Sequence, residues 1–134
     1  MVALSESCRL ELLGAFRLVG LDGRRIDVSS KRGQALIAML AVSGSGERTR
    51  IWLQDHLWGS RSGEQAQVSL RRELSTLRQT VNRDAELLCA DHCRVWLDLE
   101  RLSVDVRGDD ATDGEFLEGL DIAGEEEFED WLRE

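Results

Sequence analysis

Four aliphatic residues, Leu70, Leu74, Leu77 and Val81, recur at intervals of four, three and four, and no other feature of the chain restricts its fold as strongly. That spacing places them on one side of a helix and predicts helix over about 64–82. Because each residue turns the helix by about 100°, Arg72, Thr76 and Gln79 point away from the stripe, Ser75 lies near them, and Arg71 and Arg78 share one flank. The apolar stripe is narrow. Such a helix cannot make a core alone and needs other elements to cover it.

Those elements are legible on both sides. From Cys8, apolar and polar residues alternate through Leu10, Leu12, Phe16 and Leu18, with Gly14 as a bend, which predicts two short strands. Asp22-Gly23 is a hairpin signal, and Ile26 and Val28 mark the returning strand of a three-stranded antiparallel sheet. Ser29 or Ser30 can cap a helix that carries Ala35, Leu36, Met39 and Leu40 and runs to about Val42; Gly44-Ser45-Gly46 ends it. Thr49 can cap a second, short helix whose apolar face is Ile51, Trp52, Leu53, Leu57 and Trp58, stopped at Gly59. After the third helix, Leu88, Val95 and Leu97 are the inward residues of two strands that turn at Asp91-His92. Val104 and Val106 close the core region. The expected core is Leu10, Leu12, Ile26, Leu36, Leu40, Leu53, Leu57, Leu70, Leu74, Leu77 and Leu97.

Charge divides the chain unevenly. Residues 1–81 hold 12 Lys and Arg against 8 Asp and Glu, whereas residues 82–134 hold 5 against 18, so the net −9 is concentrated in the second part. Such asymmetry suggests a part that faces a polyanion joined to an acidic part with another task. The polar run from Arg107 to Gly114 divides them, giving a domain over 1–107 and an acidic segment over 108–134. Within that segment Phe116, Leu117, Leu120, Ile122, Phe128, Trp131 and Leu132 require apolar cover, either from the preceding domain or from another copy, with a place beside the first sheet keeping the carboxylates off the third helix. No apolar window approaches the roughly 20 residues of a membrane span. The start lacks a signal-peptide pattern. Cys8, Cys89 and Cys93 form no paired framework, so the chain reads as soluble and cytoplasmic.

Residues Arg9-Leu-Glu-Leu-Leu-Gly-Ala-Phe-Arg-Leu18 and Lys31-Arg-Gly-Gln-Ala-Leu-Ile-Ala-Met-Leu-Ala41 resemble the opening of antibiotic regulatory (SARP-type) activators, whose DNA-binding domains are of the OmpR/PhoB type. Leu57-Trp58-Gly59-Ser60-Arg61, followed by Glu64-Gln-Ala-Gln-Val-Ser-Leu-Arg-Arg-Glu-Leu-Ser-Thr-Leu-Arg78, resembles that family's second helix, turn and recognition helix. The segment Gly114–Asp121 with Phe128–Leu132 resembles the linker into the helical activation domain. The resemblance implies an α+β fold, a winged helix-turn-helix with an N-terminal three-stranded antiparallel sheet, a three-helix core and a C-terminal β-hairpin wing. It also implies transcriptional control through double-stranded DNA; a homodimer through the apolar C-terminal segment and an RNA polymerase contact are further expected partners.

On that reading Arg71, Arg72, Ser75, Thr76, Arg78 and Gln79 face the bases, because Arg pairs bidentately with guanine and Gln with adenine in the major groove. Lys31, Arg32, Arg50, Ser69 and Arg94 are the expected phosphate contacts, with Arg48 and Arg61 nearby. The turn Ala90-Asp91-His92-Cys93 is not basic, which leaves Arg94 as its phosphate contact. The alternative is a winged-helix interaction module that uses its acidic surface for a protein partner. Cys89, His92 and Cys93 lack the fourth ligand of a closed zinc site, and the run from Asp109 to Gly114 lacks the carboxylates of a calcium loop, so neither metal nor cofactor is expected. No catalytic constellation is present to suggest an enzyme.

Overall fold

The computed structural model describes residues 7–105, 116, 117, 119, 120, 122 and 124–132. The expected boundary at 107/108, Val106 and the run from Asp109 to Gly114 lie outside the described residues. The chain folds as α+β, with four helices and two sheets among the described residues. Strand β1 (Cys8–Glu11) pairs antiparallel with β2 (Arg17–Val19), which pairs with β3 (Arg25–Ile26) around the Asp22-Gly23 turn. Gly23 has φ +79°, a conformation that costs a residue without Cβ little.

Helix α1 (Lys31–Val42) starts where the Ser30 hydroxyl accepts the Gly33 N–H at 3.1 Å. Strand β4 (Glu47–Thr49) leads into α2 (Arg50–Leu57), capped by Thr49, whose hydroxyl accepts the Trp52 N–H at 3.1 Å. Helix α3 (Gly63–Val81) is capped by Ser62 and followed by β5 (Leu88–Ala90), β6 (Arg94–Leu97), β7 (Leu102–Val104) and α4 (Glu126–Leu132).

Every residue of the expected core is buried, and they belong to one cluster. Gly33 explains how α1 and α3 approach so closely: a Cβ there would meet Leu77 Cδ2 at 2.9 Å and Val28 Cγ1 at 3.3 Å. The Ser30 hydroxyl also donates to Glu73 of α3 at 2.5 Å, so the cap of one helix is tied to the next.

Two sheets exceed the sequence expectation. The N-terminal sheet has four strands in the order β3-β2-β1-β7, because β7 joins β1 in parallel with Leu10 opposite Val104. Asp105 extends the junction by accepting N–H bonds from Leu12 and Leu13, all at 3.0 Å. The hairpin β5-β6 gains β4 as a third strand, with Arg48 opposite Val95. Ile51 departs in the other direction. Expected on the apolar face of α2, it is 70% exposed, because Leu53 and Leu57 set the buried side and Ile51 sits about 200° round from Leu53.

The acidic C-terminal segment is covered by this domain itself. The Leu117 N–H donates to Leu12 O at 2.7 Å, Phe116 bridges to Leu13 at the end of β1, and α4 packs on α2. Phe128 is fully buried, and the Trp131 ring lies 5.8 Å from those of Phe116 and Phe128. At its anchor, the buried Glu125 carboxylate accepts from Ser60 N at 3.0 Å, Ser60 Oγ at 3.2 Å and Arg32 at 3.2 Å. Among the described residues no helix is long and apolar enough to cross a membrane.

Replacing Glu125 by Ala removes an acceptor that serves two donors of Ser60 and the Arg32 guanidinium. Arg32 retains some contact with water, so the expected loss of stability is about 2 kcal/mol, below that of a fully buried pair. A chemical denaturation curve measures it; an unchanged midpoint would show that the segment contributes nothing to the fold.

Candidate functional site

The core stripe of α3 has a counterpart on the opposite side. Val68, Arg72, Ser75 and Gln79 repeat the four, three, four spacing displaced by two residues, which is about 200° of rotation, and all four are exposed. Arg71, Thr76 and Arg78 are exposed on the flanks of this row. Thus each of Arg71, Arg72, Ser75, Thr76, Arg78 and Gln79 reaches the surface of α3. Sequence reasoning missed Val68 and Gln67, although their phase relative to Leu70 would have found them.

The arginines outside this helix divide, with Arg24, Arg48, Arg50 and Arg61 in no ion pair among the described residues and the others paired. On the sheets and loops, Arg9, Arg17, Arg25, Arg83, Arg94 and Arg101 each lie within 4.0 Å of a carboxylate. Among the described residues, no ion pair involves Arg71, Arg72 or Arg78. The helix therefore presents three guanidiniums whose charge is not neutralised nearby, and the end of α3 is held firmly behind them. Asn82 Oδ1 accepts the N–H groups of Leu87 and Leu88, both at 2.9 Å, while its amide donates to Leu88 O at 3.0 Å, fixing α3 to β5.

A cleft of about 820 Å³ opens beside α3, bounded by Gln67 and Arg71, the start of α2 with Arg50 and Ile51, and the β5-β6 turn with His92 and Cys93. Arg50 holds two sides of it together. Its backbone N–H donates to Cys93 O at 2.8 Å and its Nε to Asp91 O at 2.7 Å. A shallower groove of about 520 Å³ follows the other flank between Arg61, Val68 and Arg72.

The expected phosphate set divides on these grounds. Lys31 is exposed at the first position of α1, and Arg50 remains at the cleft. Arg32 is committed elsewhere: its Nε donates to Leu57 O at 2.7 Å, its second branch reaches Glu125, and its guanidinium lies over Trp58 at 5.9 Å. Arg94 is paired with Glu47 at 3.0 Å and lies 3.5 Å from Asp91. The Ser69 hydroxyl accepts from Arg61 at 2.7 Å. Arg48 lies over the Trp52 ring at 4.1 Å, and His56 stacks on the same indole with Nδ1 2.8 Å from Trp52 O. The partners that commit Arg32 and Arg94, Glu125 and Glu47, stand 93 and 47 residues away, which composition does not reveal.

No protein-family model and no curated protein matches the sequence. Among solved structures, the chain is similar to Mycobacterium tuberculosis EmbR, determined in complex with a low-affinity phosphopeptide, with a TM-score of 0.60 and 19% identity over 73% of this chain. The match spans 27% of the EmbR chain, so this chain corresponds to about a quarter of that protein's length. The likeness is one of fold.

The Asp91 carboxylate shapes the turn at the edge of the cleft, accepting from Cys93 N at 2.9 Å and Arg94 N at 2.7 Å. Those backbone bonds, with help from Arg94, hold its pKa below the usual carboxylate range. A depressed carboxylate contributes order that is fully present above about pH 3.9, the ordinary value, and is lost as pH falls through the lower folded-state value. A carboxyl carbon NMR titration should therefore give Asp91 a midpoint below those of exposed aspartates, with Asp91→Asn assigning the resonance by removing it. A midpoint at the ordinary value would mean that the turn is not held by these bonds.

Proposed function

We propose that this chain is the DNA-binding domain of a bacterial transcriptional regulator, a winged helix-turn-helix of the SARP and OmpR/PhoB type. Helix α3 enters the major groove, and the β5-β6 hairpin is the wing. The observation that carries this reading is the outer face of α3, where Arg71, Arg72 and Arg78 have no carboxylate partner among the described residues of a chain with net charge −9. Exposed guanidiniums are hydrated without difficulty, but three of them on one helix of so acidic a protein form a local positive patch that attracts a polyanion. Double-stranded DNA supplies that anion along a groove wide enough for a helix.

The surrounding geometry supports the same reading. Arg50, at the start of α2, and Arg71 flank one side of α3, where they can take phosphates. The acidic α4 packs on α2, with Phe116 and Leu117 at the end of β1, so apolar cover rather than DNA holds the C-terminal segment. The similarity to part of EmbR is consistent with a winged-helix scaffold. A second reading, an interaction module for a protein such as a polymerase subunit, draws on the exposed carboxylates Glu126, Glu127, Glu129 and Asp130.

A fluorescence anisotropy titration against genomic DNA fragments over a salt series separates the two. Affinity should fall steeply with salt, because each phosphate contact adds about 0.9 to the slope of log K against log salt. Arg71→Ala with Arg72→Ala should weaken binding about tenfold or more and flatten the slope by up to about 2, while leaving the circular dichroism spectrum intact. Affinity unchanged by the double substitution would favour the protein-interaction reading.

A further inference from the structure

Val68 has no role in the fold that accounts for its chemistry. It lies directly opposite the core stripe of α3 and is 37% exposed; with Ile51, it is one of two exposed large aliphatic side chains among the described residues. Valine is also a poorer helix former than the Gln, Glu and Arg residues around it, since its branched Cβ loses rotamer freedom against the preceding turn. Local propensity does not favour it there, and its packing leaves 37% of it open to solvent. An apolar side chain at the start of an otherwise polar outer row gains only when something apolar covers it.

Resting on the DNA-binding reading above, we infer that Val68 is a specificity-determining residue that reads the 5-methyl group of a thymine in the major groove. The thymine methyl is the aliphatic group that base pairs present to that groove. Recognition helices of this class contact base edges with their N-terminal residues, and Val68 falls in the second turn of α3. Arg72 stands four residues on in the same outer row, free of carboxylates among the described residues, and has the geometry for a guanine O6 and N7 pair. Four residues of helix advance about 6 Å and a base-pair step about 3.4 Å, so the thymine read by Val68 lies one or two steps from the guanine read by Arg72. The groove bounded by Arg61, Val68 and Arg72 places a cation on each side of the methyl contact.

The test begins with selection of binding sites from a random duplex library by the full chain, followed by replacement of each selected thymine with deoxyuridine, which removes the methyl and nothing else. At one position, one or two steps from a selected guanine, the wild-type chain should lose about fourfold in affinity, the value of one buried methyl-sized group. Val68→Ala should bind thymine and deoxyuridine equally there, while Val68→Thr, which keeps a methyl, should retain part of the discrimination. Both variants are surface changes, and circular dichroism verifies that they fold. If selected sites emerge but deoxyuridine costs nothing anywhere, or Val68→Ala keeps the full discrimination, the inference is overturned and DNA binding stands. If the library yields no enriched sequence and no salt-dependent binding, the DNA-binding reading itself falls and the inference with it.

Discussion

Burial of the leucine stripe of α3 is the constraint on which the rest of this structure depends. Leu70, Leu74 and Leu77 are nearly inaccessible, and Leu77 lies so close to α1 that a Cβ at position 33 would meet its Cδ2 at 2.9 Å. With a helix held that tightly on one side, its opposite side is presented at a defined angle. The outer row of Val68, Arg72, Ser75 and Gln79 is thus a geometric consequence of the inner one. Stability and the candidate site share a single helix without competing for residues, because an α-helix separates positions two apart by more than half a turn.

Polar groups then fix how that helix sits. Ser30 both caps α1 and donates to Glu73, and Asn82 closes the end of α3 onto β5. The Ser30 hydroxyl satisfies an N–H in the first turn of α1, and the Asn82 side chain satisfies backbone groups of Leu87 and Leu88 where the chain enters β5. Glu125 does comparable work over a longer range, joining the C-terminal segment to Arg32 of α1 and to Ser60 in the turn before α3. The acidic part of the chain is therefore held at the turn preceding the candidate recognition helix by a buried carboxylate, while Glu126, Glu127 and Glu129 remain exposed.

Local patterns were the readable part of this protein. Helix α3, the caps at Ser30 and Thr49, the Asp22-Gly23 turn and the eleven expected core residues all follow from periodicities of two or 3.6 and from the chemistry of single residues. The misreadings share a different origin. Ile51 was placed inward because α2 is only eight residues long, too short for an apolar face to be phased by its own sequence. Strands β4 and β7 lack an adjacent hairpin partner, since they pair with β6 and β1 far along the chain, and no turn signal such as Asp22-Gly23 marks them.

Sequence by itself determined the division of α3 into an apolar and a cationic side, because that division depends only on residue spacing within one continuous helix. Tertiary structure alone decided which cations remain at the surface without a carboxylate. Arg32 and Arg94 are as basic as Arg71 and Arg72, yet the first pair meets Glu125, Glu47 and Asp91 while the second meets no described carboxylate. Glu125 stands 93 residues from Arg32, and Glu47 stands 47 from Arg94. An ion pair requires its atoms to lie within about 4 Å, a distance set by how the chain returns on itself rather than by the order of its residues.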